Sequence, residues 1–294
     1  MNIEKLREDF PILKSGIIYF DNACVSLKPK QVIEAMNKYY YEFPACGQRS
    51  EHKLGKKVTE SVWQSRKELK KFFNAKSEKE IIFTKNTTES INIVAHSMHG
   101  PVLLTDKEHN SNLVPWQVDG KIQIVKSKPD MTFDMDAFES SLKNIKLVSF
   151  VHTSNLDGYT IPAREIIKIS HEHNIPVMLD AAQSAPHRTI DVKKLDVDFL
   201  ACSGHKMLGP SGMGILYGKQ HMLEKLQPLS LGGDTVSDST YKSHKLLGVP
   251  ERLEAGLQNY AGIIGFAEAV KYLEKIGMEN IEKHETMMNK LVTE

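Results

Sequence analysis

The feature that most narrows what this chain can fold into is a rhythm. Short apolar, β-prone runs at 17–21, 81–84, 102–105, 122–125, 147–152, 177–180, 199–202 and 214–217 alternate with segments of helical periodicity. The runs 147–152 and 177–180 are apolar almost throughout, as strands buried on both faces are, and a helical pattern over 161–173 separates them. Over 54–73, Leu54, Val58, Val62, Leu69 and Phe72 fall three, four or seven positions apart, with Lys and Glu on the opposite face. Asn86 can cap a further helix while Glu89 reaches back from its third position. This alternation implies an α/β fold of three layers, a mostly parallel sheet flanked by helices. Ligands in such sheets sit at the carboxyl ends of the strands, so the chemistry is sought there.

Composition excludes several functions. Lys+Arg number 38 and Asp+Glu 37, a formal net charge of +1, which provides no field to gather nucleic acid or anionic lipid. The N-terminal MNIEKLREDF has no apolar signal core, and no run approaches the roughly 18 apolar residues of a membrane span. The expectation is a cytoplasmic protein. Cys24, Cys46 and Cys202 are odd in number and lack a CxxC pair, so they read as reduced thiols rather than disulfides or a zinc site. His171-Glu172-His173 lacks the i, i+4 histidine pair of a metal site and reads as surface. With 294 residues and no repeat or linker, the chain suits one large domain or two modest ones.

Three segments following strands carry possible chemistry. Asp180-Ala181-Ala182-Gln183-Ser184 puts a carboxylate at a strand end before small residues; it serves equally as a helix cap. Lys206 lies among Gly204, Gly209, Gly212 and Gly214, where backbone can approach a ligand, although a loop lysine is ordinarily a solvated charge. The pair matters more than either member. A pyridoxal-phosphate enzyme needs a lysine for the Schiff base and a carboxylate to keep the pyridine nitrogen protonated, and these two end neighbouring strand candidates. Thr84-Lys85-Asn86-Thr87-Thr88-Glu89 runs from a strand into a helix start with two hydroxyls, a phosphate seat or simply a helix beginning.

Together with Tyr19-Phe20-Asp21-Asn22-Ala23, Glu108-His109-Asn110-Ser111-Asn112, Val151-His152-Thr153-Ser154-Asn155, Ser203-Gly204-His205-Lys206, Leu231-Gly232-Gly233-Asp234 and Glu254-Ala255-Gly256, these segments resemble the class V aminotransferases. Those are pyridoxal 5'-phosphate enzymes of fold type I, and the chain is most similar to their cysteine desulfurase and selenocysteine lyase members. The resemblance implies that Lys206 holds the cofactor and acts as base, Asp180 pairs with the pyridinium, and Gln183 bonds the ring's phenolic oxygen. It further implies that His109 stacks on the ring and shuttles a proton, and that Asn155 lies beside the phenolic oxygen and substrate carboxylate. Thr87, Thr88, Ser203 and His205 would hold the phosphate. The implied function is removal of sulfur from L-cysteine to give alanine and a persulfide, in a homodimer, with a sulfur-acceptor protein as a further partner. Selenocysteine cleavage, transamination, epimerisation or kynureninase-type chemistry, or a catalytically incomplete cofactor-binding fragment, are the alternatives.

The pattern departs from the family in two respects. Family members continue into a C-terminal domain bearing an arginine clamp and a sulfur-accepting cysteine, so the expected organisation is an arm at 1–20, a cofactor-binding domain at 21–259, and helices at 260–294 leading to a domain absent from this chain. Among the cysteines present, Cys46, near Arg49 and His52, is the favoured acceptor, with Cys24 behind it and Cys202 a buried structural thiol. Leu257 stands where the family commonly has a threonine reaching the partner's phosphate, and it has no hydroxyl to offer.

Overall fold

A computed structural model describes residues 2–118 and 120–293. Seven strands, β1 (Ile81–Thr84), β2 (Val102–Thr105), β3 (Ile122–Val125), β4 (Leu147–Val151), β5 (Val177–Asp180), β6 (Phe199–Ser203) and β7 (Gly214–Gly218), form one sheet in the order β1-β7-β6-β5-β4-β2-β3. Every neighbouring pair is parallel except the two that involve β7. The carboxyl ends of the other six strands therefore share one edge of the sheet. Each strand lies within a residue of its expected bounds; six of the seven are buried on both faces, which leaves an unbroken apolar signature, while β3 keeps an exposed Gln123.

Strand side chains alternate between two cores. Phe83, Leu103, Phe150, Leu179, Leu200 and Ile215 pack on one face; Ile82, Leu104, Leu147, Met178, Phe199 and Leu216 pack on the other. The first face is covered by the helices Lys53–Phe72, Ala163–Glu172 and Tyr260–Ile276, through Val58, Val62, Leu69, Ile166, Ile263, Phe266 and Leu273. Thr87–Ser97 and Asn110–Gln117 cover the second through Ile91, Val94 and Trp116. At the end of the helix Lys53–Phe72, the partly buried Phe72 packs against the core and is joined there by the wholly buried Phe73.

The run 17–21 is not a strand. Ile17, Ile18 and Phe20 are exposed, Phe20 to 91%, and among the described residues no strand pairs with them; β-propensity expresses packing against cross-strand neighbours, which this run lacks there. A polar ribbon of β8 (Val236–Ser239) and β9 (His244–Leu246) is a further element. His171 is also more than a surface residue. Its Nε2 meets the buried Asp198 at 2.8 Å, and Asp198 also accepts the Val177 amide at 2.8 Å and the Lys219 ammonium at 2.9 Å. This cluster ties β5, β6 and β7 together at the end of the sheet opposite the carboxyl ends.

Two interactions fix the carboxyl edge. Gly214 begins β7 so close to the Asn86 turn that an added Cβ would lie 2.7 Å from Asn86 Cα, which holds the helix Thr87–Ser97 against β6 and β7. The Asn86 side chain caps that helix by accepting the Glu89 amide at 2.9 Å, while the Glu89 carboxylate accepts the Lys85 amide, one residue beyond the expected box.

Candidate active site

The loops leaving β1, β2, β4, β5 and β6 enclose a cleft of about 460 Å³ at the carboxyl edge. Lys206, Asp180, Gln183, His109, Asn155, Thr87, Thr88, Ser203 and His205 all line it. Cys46 does not. It is exposed and adjoins Gly47, which lines a separate hollow of about 710 Å³ between the helix Lys53–Phe72 and the ribbon. The thiol on the cleft wall is Cys24, and no arginine lines the cleft among the described residues.

Asp180 ends β5 opposite Ala201 of β6, and Lys206 follows β6 in a single 3-10 turn, so register alone brings the two loops together. Asp180 is 2% exposed; its Oδ1 accepts the Ala182 amide at 2.9 Å, and among the described residues no cation forms an ion pair with it. Burial pushes its carboxyl above the ordinary range, against the opposing pull of the Ala182 amide, Lys206 and His109. Burial also holds the Lys206 amine below the ordinary lysine range, and the charges of Asp180 and Cys24 offset this in part.

The hydroxyl groups form two linked sets. Thr87 donates its amide to Ser203 Oγ at 2.9 Å, and their hydroxyls lie 2.8 Å apart, so the helix start is stitched to the end of β6. Thr88 Oγ1 meets Ser111 Oγ at 2.8 Å, and Ser111 in turn lies 3.0 Å from His109 Nδ1. His109 caps the helix Asn110–Gln117 by accepting the Ser111 amide on Nδ1, which leaves the proton of the neutral ring on Nε2. Gln183 donates to the Ala23 carbonyl at 2.8 Å, drawing the N-terminal stretch across the cleft.

Sequence reasoning missed Ser111 as the link between Thr88 and His109, and Glu108 as more than part of a motif. Glu108 accepts the Thr105 hydroxyl at 2.5 Å and the Asn112 amide at 2.6 Å, and burial raises it to about 8. Its position one residue before His109 was the available signal. The thiol of Cys202, wholly buried at the end of β6, is pushed up by the loss of water. Leu257 is exposed, clear of the cleft lining.

A family model described as aminotransferase class-V matches residues 18–294. The chain belongs to the class V aminotransferase family. Among class V relatives, a probable cysteine desulfurase of Pyrococcus abyssi is 40% identical over 99% of this chain and 75% of its own length. One from Halalkalibacterium halodurans is 38% identical over 97% of this chain and 75% of its own. The apo cysteine desulfurase of Thermococcus onnurineus superposes with a TM-score of 0.94 at 38% identity, across 99% of this chain and 75% of that one. The cysteine desulfurase CsdA of Escherichia coli gives 0.88 at 31% identity, across 95% and 73%. Within the class V family the chain is thus most similar to cysteine desulfurases, and it spans about three quarters of their length. No helix among the described residues is long and apolar enough to cross a membrane.

Proposed function

We propose that the chain binds pyridoxal phosphate through Lys206 and, as a cysteine desulfurase-like enzyme, removes sulfur from L-cysteine. The observation that carries this reading is the meeting of a buried carboxylate that forms no ion pair among the described residues, Asp180, with the half-buried amine of Lys206 in the loops after adjacent strands. The residues fit the cofactor. Asp180 would hold the proton on the pyridine nitrogen, and Gln183, with one amide hydrogen on Ala23, has a second for the ring oxygen near Asn155. His109 would lie against the ring face. Thr87, Thr88, Ser203 and His205 would take the phosphate at a helix start, where the dipole favours an anion.

Bound pyridoxal phosphate supplies an electron sink for bonds at the amino acid's α- and β-carbons. The chain supplies the rest. Lys206, kept from holding its proton tightly, can take a proton from the substrate α-carbon and return it. His109 offers the Nε2 proton, with its ring orientation set by Ser111. As the substrate carbon–sulfur bond breaks, a sulfur–sulfur bond forms on an acceptor thiol, and the carbon that loses sulfur gains a proton. The thiol proton passes to the terminal sulfur, so cysteine and a thiol become alanine and a persulfide. Cys24 stands on the cleft wall and Cys46 outside it; a partner protein's cysteine is the other acceptor class, and a homodimer is the assembly the family implies.

The test is product analysis. With pyridoxal phosphate, L-cysteine and a reductant, the chain should release alanine and sulfide in equal amounts, and Lys206→Ala should release neither. Loss of turnover in Cys24→Ser but not Cys46→Ser, or the reverse, identifies the acceptor. A yellow protein that forms no alanine or sulfide would contradict the desulfurase reading while leaving cofactor binding intact.

A further inference from the structure

Three donors from one short stretch of chain converge on a single backbone carbonyl. The oxygen of His205, the residue before Lys206, accepts the Ser26 amide at 2.9 Å, the Ser26 hydroxyl at 2.9 Å and the Lys28 ammonium at 3.0 Å. Ser26 Oγ also accepts the amide of Leu208 at 2.9 Å. Ser26 thus holds the backbone on both sides of Lys206, across 179 and 182 positions of sequence.

Two features set this apart from ordinary loop closure. Leu208 has φ +59°, a left-handed conformation that is unfavourable for a residue with a side chain and persists where neighbours over-determine it. Ser26 is the neighbour that holds its amide. Lys28 is half-buried, burial lowers it to about 8, and among the described residues it has no carboxylate partner; its acceptors are Ser26 and the His205 carbonyl. Lysine seldom gives up water without a counter-charge, so a lysine placed here points to the carbonyl as what it holds. The same stretch is anchored on its other side by Gln183, which donates to Ala23. Residues 23–28 therefore tie the loop after β5 to the loop after β6.

We infer that Ser26 and Lys28 are positioning residues for Lys206: they grip the carbonyl before it and the amide two residues after it, and so fix the direction in which its amine enters the cleft. The inference rests on the reading of Lys206 as the cofactor lysine. Holding the amine in one place also holds it in partial burial, facing Asp180 and Cys24, which is what lowers its affinity for a proton.

The experiment follows Lys206 itself, before any cofactor is added. Ser26→Ala, Lys28→Met and Lys28→Arg are treated with acetic anhydride across a pH series, and acylation of Lys206 is read by peptide mass spectrometry. Once the grip is lost the amine gains water, so the midpoint of the profile should rise by about half a unit or more in Ser26→Ala and Lys28→Met. Ser26→Ala changes no charge, so its shift reports position alone. Lys28→Arg keeps the donors and should follow the wild type. After addition of pyridoxal phosphate, the first two variants should also capture it several-fold more slowly. A Lys206 profile unmoved in Ser26→Ala and Lys28→Met overturns the inference, and if Lys28→Met does not fold, Ser26→Ala decides alone. Wild type that takes up no pyridoxal phosphate would overturn the cofactor reading separately, since acylation needs no cofactor.

Discussion

Asp180 and Glu108 are two carboxyls that both lose water, and the charge of Asp180 adds to the rise of Glu108. Lys206 and His109 pull Asp180 toward its ionised form against burial, whereas the hydrogen-bond partners of Glu108, Thr105, Asn112 and the Val151 backbone, are neutral. Burial raises both carboxyls, and Glu108, raised to about 8, keeps its proton at neutral pH. The folded chain holds the Glu108 proton up to about pH 8, whereas an ordinary glutamate loses it near 4.5. Between those values the folded state binds more protons than the unfolded, so stability declines as pH climbs through that window. Glu108→Gln has no proton to lose, and denaturant melts at pH 5 and pH 8 should show the decline smaller in the variant by at least about 1 kcal/mol. Equal declines in the two proteins would refute the assignment. Residues of this kind were legible to unequal degrees. Asp180 stands out because a charged side chain ends an apolar run, and Lys206 because glycines surround it in the loop after one. Ser26, Lys28 and Ser111 carry no local signal, since what gives them meaning is a partner far along the chain or a histidine ring oriented only after folding.

At the scale of elements, the buried pair Arg66 and Glu254 joins three pieces of chain. Arg66, on the helix Lys53–Phe72, holds Glu254 through two hydrogen bonds of 2.7 and 2.8 Å and also donates to the Ile81 carbonyl; Glu254 accepts the Phe83 amide at 2.6 Å. Edge strand β1 is thereby fastened to the layer above it. Removing one charge from such a pair leaves the other buried and unmatched, so Glu254→Gln should lower unfolding free energy by about 3–5 kcal/mol in urea titration. A loss under about 1 kcal/mol, the range of exposed pairs, would contradict this account. Six strands of the main sheet were readable because both faces are buried, so each is an apolar run; β3, with Gln123 exposed, was readable from the alternation of its isoleucines. The β8–β9 ribbon was not: its sequence, Val236-Ser237-Asp238-Ser239 and His244-Lys245-Leu246, has too few buried positions to show a period of two. The run 17–21 misled for the opposite reason, having strand-like residues without a strand to pair with.

For the molecule as a whole, the helix Tyr260–Ile276 belongs to the main core. Ile263, Phe266, Val270 and Leu273 are buried against the same cluster as the sheet, whereas Met278–Thr293 has one buried residue, Met278, and exposed Met287, Leu291 and Val292. A chain ending at residue 277 should melt cooperatively within a few degrees of the parent, while one ending at 259 should not fold, since losing several large core side chains at about 2–5 kcal/mol each exceeds the stability of an ordinary domain. Circular dichroism melts of the two distinguish these outcomes; a shorter chain that still melted cooperatively would remove this helix from the core. The three-layer architecture was readable from the alternation of runs, whereas the site depends on loops from five strands meeting at one edge, which pairing order alone determines. The most direct test of the account is to load the protein with pyridoxal phosphate, reduce it with borohydride and locate the pyridoxyl group by peptide mass spectrometry. The account predicts that the label falls on Lys206; a label on another lysine, or none, would contradict it.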